Sequence, residues 1–86
     1  MQTILLSSTE WIKVVDSGEN YLGQVDSSEG VYFMDSAASP SVGDVGLILN
    51  RNDTLSSEVY PVRDGLWMIN IRHTDQDVKF RCDKWS

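Results

Sequence analysis

The chain has 86 residues, a net charge of −6 and a sequence isoelectric point near 4.4. Seven Lys and Arg residues against thirteen Asp and Glu residues cannot supply the basic surface that nucleic acids and anionic membranes require, so we expect no nucleic-acid partner and no membrane insertion. A chain of this length holds one modest hydrophobic core, which predicts a single domain over residues 1–86.

The N-terminal segment does not have the pattern of a secretory signal peptide. No Lys or Arg precedes the apolar residues 4–6, and that run is far shorter than a signal-peptide core. Cys82 is the only cysteine, so an internal disulfide is excluded. We therefore expect synthesis in a reducing cytoplasm.

Short runs of strand-forming residues recur along the whole chain, separated by the turn residues Asp, Ser, Gly and Asn. In chain order the runs lie at residues 3–6, 11–15, 21–25, 31–34, 46–50, 54–62, 66–71 and 78–82. This spacing predicts an all-β fold, a single small antiparallel β-sandwich or barrel of about seven to eight short strands.

Alternation of apolar and polar residues assigns faces to the second and last runs. Ile12 and Val14 share one side of their strand, opposite Lys13. In the last run, the residues predicted to point inward are Val78, Phe80 and Cys82, and those predicted to point outward are Lys79 and Arg81. Exposed edge strands invite pairing with other chains, and we expect Lys13, Lys79 and Arg81 to protect such edges.

The run at residues 66–71 is interpreted in the same way. Its period-2 pattern places Trp67, Ile69 and Ile71 on the core face, opposite Met68 and Asn70. Trp67 is the predicted core anchor.

Residues 31–34 are apolar on both faces, because Val31 and Phe33 alternate with Tyr32 and Met34. The segment is either a central strand covered on both sides, which we favour, or a strand whose second face meets another subunit. The connection at residues 35–44 is the longest, and we interpret it as a surface crossover between sheets or, alternatively, as a contact loop.

The sequence offers little catalytic chemistry. His73 is the only histidine, which excludes a two-histidine metal site, and we expect it in a solvated turn. Cys82 is expected to be a small buried hydrophobe. Asp75 and Asp77, with Asp83 nearby, lack the spacing of a calcium-binding EF-hand loop and predict a solvated acidic turn. We expect no enzymatic activity, no catalytic residue, no cofactor and no metal ion.

Trp11 and Trp85 have no obvious place in a core, because one opens a strand and the other lies near the last residue of the chain. Each either packs over the rim of its own domain or contacts another subunit. Exposed aromatic side chains also serve as platforms on which sugars stack.

Three stretches carry a recognisable pattern: EWIKVVDSGENYLGQV, GVYFMDSAASPSVGDVGLIL and DGLWMINIRH. Together they resemble small virion structural proteins of tailed bacteriophages. Such proteins open with a Trp-led strand, pass through a small-residue segment ending in Pro, and close with a Leu-Trp strand; here these features are Trp11, residues 37–40 and residues 66–67.

The resemblance implies a non-enzymatic β-sandwich that acts as a capsid decoration protein or a head- or tail-associated component. It also implies contacts with other virion proteins, self-association with a trimer favoured, and a location in a virion that is assembled in the host cytoplasm. The interface candidates are Trp11, Tyr32, Met34 and Trp85. The alternative function is a monomeric binding module for carbohydrate or a host-surface protein on a tail tip or fibre.

Overall fold

Strands form the regular structure throughout the part of the chain that the computed structural model describes, which is residues 2–26, 30–41, 43–50, 52–70 and 78–85. The strands are β1 (Gln2–Leu6), β2 (Ile12–Asp16), β3 (Asn20–Asp26), β4 (Val31–Asp35), β5 (Leu47–Leu49), β6 (Thr54–Ser56), β7 (Gly65–Asn70) and β8 (Val78–Trp85). The described residues contain no helix with the length and apolar character needed to cross a membrane. The all-β prediction is confirmed.

The described strands form two four-stranded antiparallel sheets. Sheet A has the order β1-β8-β3-β6, and sheet B has the order β2-β7-β4-β5. The two sheets face each other as a β-sandwich, with the inner side chains of both forming one core. The buried core residues are Leu6, Val14, Val15, Tyr21, Val25, Val31, Phe33, Leu49, Leu55, Val62, Leu66, Met68, Val78, Phe80 and Cys82.

Most connections carry the chain from one sheet to the other, but the connection after β4 does not. It leads to β5, which pairs with β4 in sheet B through the partners Val31 with Leu49 and Phe33 with Leu47. The favoured prediction of a crossover between sheets at residues 35–44 is therefore wrong. The segment instead links neighbouring strands of one sheet, although it is far longer than a tight hairpin needs.

The predicted face of β7 is wrong by one residue. Leu66 and Met68 are fully buried in the core, whereas Trp67 is half-buried on the outer face of sheet B. β7 lies between β2 and β4, and both of its faces are covered, so apolar residues occupy both faces and alternation does not identify the inner one. The indole Nε1 of Trp67 donates a hydrogen bond to the Ser36 carbonyl oxygen at 2.9 Å. Ile71 lies outside the described residues.

The predicted faces of β2 and β8 are confirmed, but the predicted edge protection holds for one residue of three. Lys13 lies on β2, which is an edge strand, and the pairing of β2 with β7 shifts register between Lys13 and Val15. Lys79 and Arg81 lie on β8, which has β1 on one side and β3 on the other. Their side chains point out from the face of sheet A, where Arg81 pairs with Asp26 at 2.9 Å.

A carboxylate clamp holds the segment that leads into β7. The Asp35 carboxylate accepts hydrogen bonds from the backbone N–H groups of Arg63 at 2.6 Å, Asp64 at 2.9 Å and Gly65 at 3.1 Å. Burial by itself raises the pKa of Asp35, but these hydrogen bonds and the Arg63 charge outweigh it and hold that pKa below its ordinary value of 3.8. The clamp thus depends on an ionised carboxylate at the end of β4.

The clamp predicts a loss of stability in acid. Because the pKa of Asp35 is lowered in the folded state, the stability that its carboxylate contributes is fully present above the unfolded pKa and is lost as the pH falls through the folded pKa. Asp35→Asn is expected to lower the free energy of unfolding at neutral pH by about 1–3 kcal/mol and to flatten its decline in acid. Urea unfolding across a pH series measures both effects.

Asp64→Asn is the matched control, because it changes a carboxylate of the same segment and leaves Asp35 and its three N–H donors in place. An Asp35→Asn protein with the stability and pH profile of the parent would contradict the clamp.

Candidate interaction surfaces

The residues that the sequence offered for chemistry lie only partly within the described ranges. Cys82 is fully buried on β8, and burial raises the pKa of its thiol, so the reactive thiolate is disfavoured. Within the described ranges, no group of three or more His, Cys, Asp or Glu residues is placed to hold a metal ion. His73, Asp75 and Asp77 lie outside those ranges, so the predictions for them remain predictions.

The β5 edge, defined as residues 45–49, exposes apolar side chains at the border of sheet B. Val45 is 75 % exposed, Leu47 is 56 % exposed and Ile48 is 57 % exposed, while Leu49 points into the core. The segment VGLIL contains no charged residue. An edge strand presents unpaired backbone groups, and an apolar edge without charge is a template for pairing with another strand.

Close packing fixes the path of the chain into this edge. A Cβ atom at Gly46 would lie 2.5 Å from the carbonyl oxygen of Phe33 and 3.3 Å from Cη2 of Trp11. Only glycine permits the backbone to approach β4 so closely. The β5 edge is therefore held against the sandwich by specific contacts at its start.

The other edge of sheet B is protected. On β2, Lys13 forms an ion pair with Asp16 at 3.4 Å, and the register shift interrupts regular pairing with β7. Charged side chains and bulges are the usual devices that keep an edge strand from pairing with other chains. The two borders of sheet B are thus chemically opposite.

The outer face of sheet B carries a row of large side chains. In the register of sheet B, Tyr32 of β4 lies beside Ile69 of β7 on one side and beside Ile48 of β5 on the other. Ile12 pairs with Met68, so the preceding residue, Trp11, lies beside Ile69. The row runs from the protected edge, where Trp11 and Ile69 are buried, through the half-buried Tyr32 to the exposed Ile48. One apolar row therefore leads across the sheet to the β5 edge.

The segment after β4 lies over this face. Trp11 is only 4 % exposed, its Nε1 donates to the Ser41 carbonyl oxygen at 2.9 Å, and its ring reaches Gly46. The second tryptophan on the face, Trp67, bonds to Ser36 at the start of the same segment. The chain thus covers the part of the outer face of sheet B around Trp11 and Trp67 with its own residues.

The predicted interface candidates fall on two surfaces. Trp11, Tyr32 and Met34 belong to the outer face of sheet B, where Trp11 packs within its own chain and the other two are half-buried. β4 is a central strand between β7 and β5, as the favoured interpretation has it, but its outer face is only half-covered. Trp85 ends β8 on the outer face of sheet A and is 50 % exposed.

Sequence reasoning did not single out Val45, Leu47 and Ile48. The run at residues 46–50 predicts a strand, but the order of strands decides whether that strand is central or at an edge. The absence of any charge in VGLIL is equally typical of a covered central strand, so no local signal identified it as an edge.

Comparison of the chain with protein-family models, with curated proteins and with solved structures finds no match.

Proposed function

We propose that this chain is a non-enzymatic structural module of the bacteriophage virion type, and that it associates with further copies of itself through the β5 edge. The exposure of Val45, Leu47 and Ile48 on a charge-free edge strand is the observation that carries the self-association. The virion role is supported by the sequence resemblance.

Burial of apolar surface supplies the driving force. At about 25 cal/mol per Å² of apolar surface removed from water, covering each of these three side chains contributes on the order of 1 kcal/mol. Backbone hydrogen bonds to a second edge strand add to this contribution. The pairing extends sheet B beyond β5, as an added strand extends any open sheet.

Charge and exposed apolar surface together favour the β5 edge for contact between identical copies. A net charge of −6 makes two copies repel each other at long range. Neither the β5 edge nor β1 brings a charge of its own into a contact, so charge permits association at both edges, and the three exposed apolar side chains at the β5 edge, against one on β1, favour the β5 edge.

Symmetry relates the contact to the size of the assembly. Two β5 edges paired around a two-fold axis close after two copies, whereas a trimer needs each copy to contribute two different surfaces. The resemblance favours the trimer, in which the β5 edge supplies one of those two surfaces.

Light scattering on a sizing column, over a wide range of protein concentration, tests the self-association. The parent is expected to have a mass that is a multiple of 9.7 kDa, and Ile48→Lys is expected to be monomeric because it places a charge in the contact. A trimer supports the full proposal, and a dimer supports the β5 contact while contradicting the trimer.

Leu5→Lys is the matched control, because Leu5 is a comparably exposed apolar residue on β1, an edge strand of sheet A. A parent that is monomeric at every concentration contradicts the proposal. So does a parent assembly that Leu5→Lys disrupts and Ile48→Lys leaves intact.

The virion role is tested on particles. Mass spectrometry of purified phage particles released from cells that carry the gene is expected to find this chain at a fixed ratio to the major capsid or tail protein. Its presence in the cell lysate and absence from purified particles would contradict a structural role.

A further inference from the structure

A groove crosses the outer face of sheet A between two rows of side chains. The register sets Thr54, Gln24 and Arg81 side by side in one row, and it sets Leu22 beside Asp83 in the next. The space between the rows has a volume of about 350 Å³ and is lined by Leu22, Gly23, Gln24, Thr54, Arg81 and Asp83. We call this space the sheet A groove.

A second depression adjoins the groove across Leu22. It has a volume of about 170 Å³ and is lined by Tyr21, Leu22, Ser56, Ser57, Glu58 and Trp85. Leu22 and Trp85 are each half exposed, so both offer apolar surface to a ligand. The two depressions form a continuous surface with an aromatic ring at one end and polar groups at the other.

The polar groups of the groove combine an amide, a hydroxyl, a guanidinium and a carboxylate. Two of them are held in place from outside the groove, since Gln24 Nε2 donates to the Asn52 carbonyl oxygen at 2.9 Å and Arg81 Nε donates to Asp26 at 2.9 Å. Fixed side chains lose less conformational entropy when a ligand binds. This end of the surface therefore presents oriented donors and acceptors.

We propose that the sheet A groove and its neighbouring depression bind a neutral oligosaccharide. A sugar ring has a face of C–H groups and a rim of hydroxyls. The C–H face suits the electron-rich face of Trp85 and the side chain of Leu22. The hydroxyls of the next ring suit Gln24, Thr54 and Asp83, which together both donate and accept hydrogen bonds.

Charge selects the class of saccharide. The two depressions hold two acidic residues, Asp83 and Glu58, and one basic residue, Arg81, whose charge is shared with Asp26. The chain as a whole is acidic. Uronic-acid and sulfated saccharides are therefore repelled, whereas a neutral saccharide meets no such penalty.

Amide chemical shifts in NMR spectra test the proposal, with maltotetraose, cellotetraose and tetra-N-acetylchitotetraose as the probes, each titrated to millimolar concentration. At least one probe is expected to shift the amides of Leu22, Gln24, Asp83 and Trp85 in a saturable way. Trp85→Leu keeps apolar bulk but removes the aromatic face, and it is expected to weaken binding by about tenfold. Trp85→Phe keeps an aromatic face and is expected to weaken binding less.

Val59→Ala is the control, because Val59 is an exposed residue outside both depressions. The proposal is overturned if none of the three probes shifts the groove amides, if the shifts lie at the β5 edge instead, or if Trp85→Leu binds as the parent does. A heparin tetrasaccharide that binds more tightly than all three would overturn the preference for a neutral ligand. Trp85→Leu leaves the β5 edge unchanged, so this variant is expected to keep the parent's mass in solution. A loss of saccharide binding and a loss of self-association are therefore measured separately.

Discussion

The contact between Trp11 and the segment that follows β4 covers the outer face of sheet B beside β2 and fixes where β5 begins. The indole lies against Gly46 and donates its N–H group to Ser41, so the residues around β2 and the long connection before β5 are held together over the outer face of sheet B. A sandwich of this size has few apolar residues to spare, and here a second apolar layer forms outside the main core. The layer stabilises sheet B on its outer side, and it also fixes the start of β5.

The two borders of sheet B differ in charge and in exposed apolar surface. On the β2 side, the Lys13–Asp16 ion pair and the register shift protect the edge, whereas the β5 side ends in exposed apolar residues without charge. Strand pairing and apolar burial thus favour the same border for contact with another copy. Sheet A differs, since its outer face is open and mixes polar groups with Leu22 and Trp85. We therefore propose protein contacts at the border of sheet B and ligand contacts on the face of sheet A.

Sequence reasoning predicted the all-β class and the inward faces of β2 and β8, because those strands alternate apolar and polar residues. It failed on β7, whose two faces are both covered: Leu66 and Met68 occupy the core, and Trp67 faces outward to bond with Ser36. Strand order is also set by long-range pairing that local patterns do not encode, which is why Lys79 and Arg81 lie on a central strand. For the same reason the candidate site was only partly predicted, with Trp85 named and the β5 edge missed.

Amide hydrogen exchange at several protein concentrations tests the central claim most directly, because it reports on each edge strand in the unmodified chain. We predict that exchange at residues 47–49 slows as the protein concentration rises. Exchange at residues 47–49 that is independent of concentration, or slowing confined to β1 or β6, would contradict the claim that β5 is where copies of this chain meet.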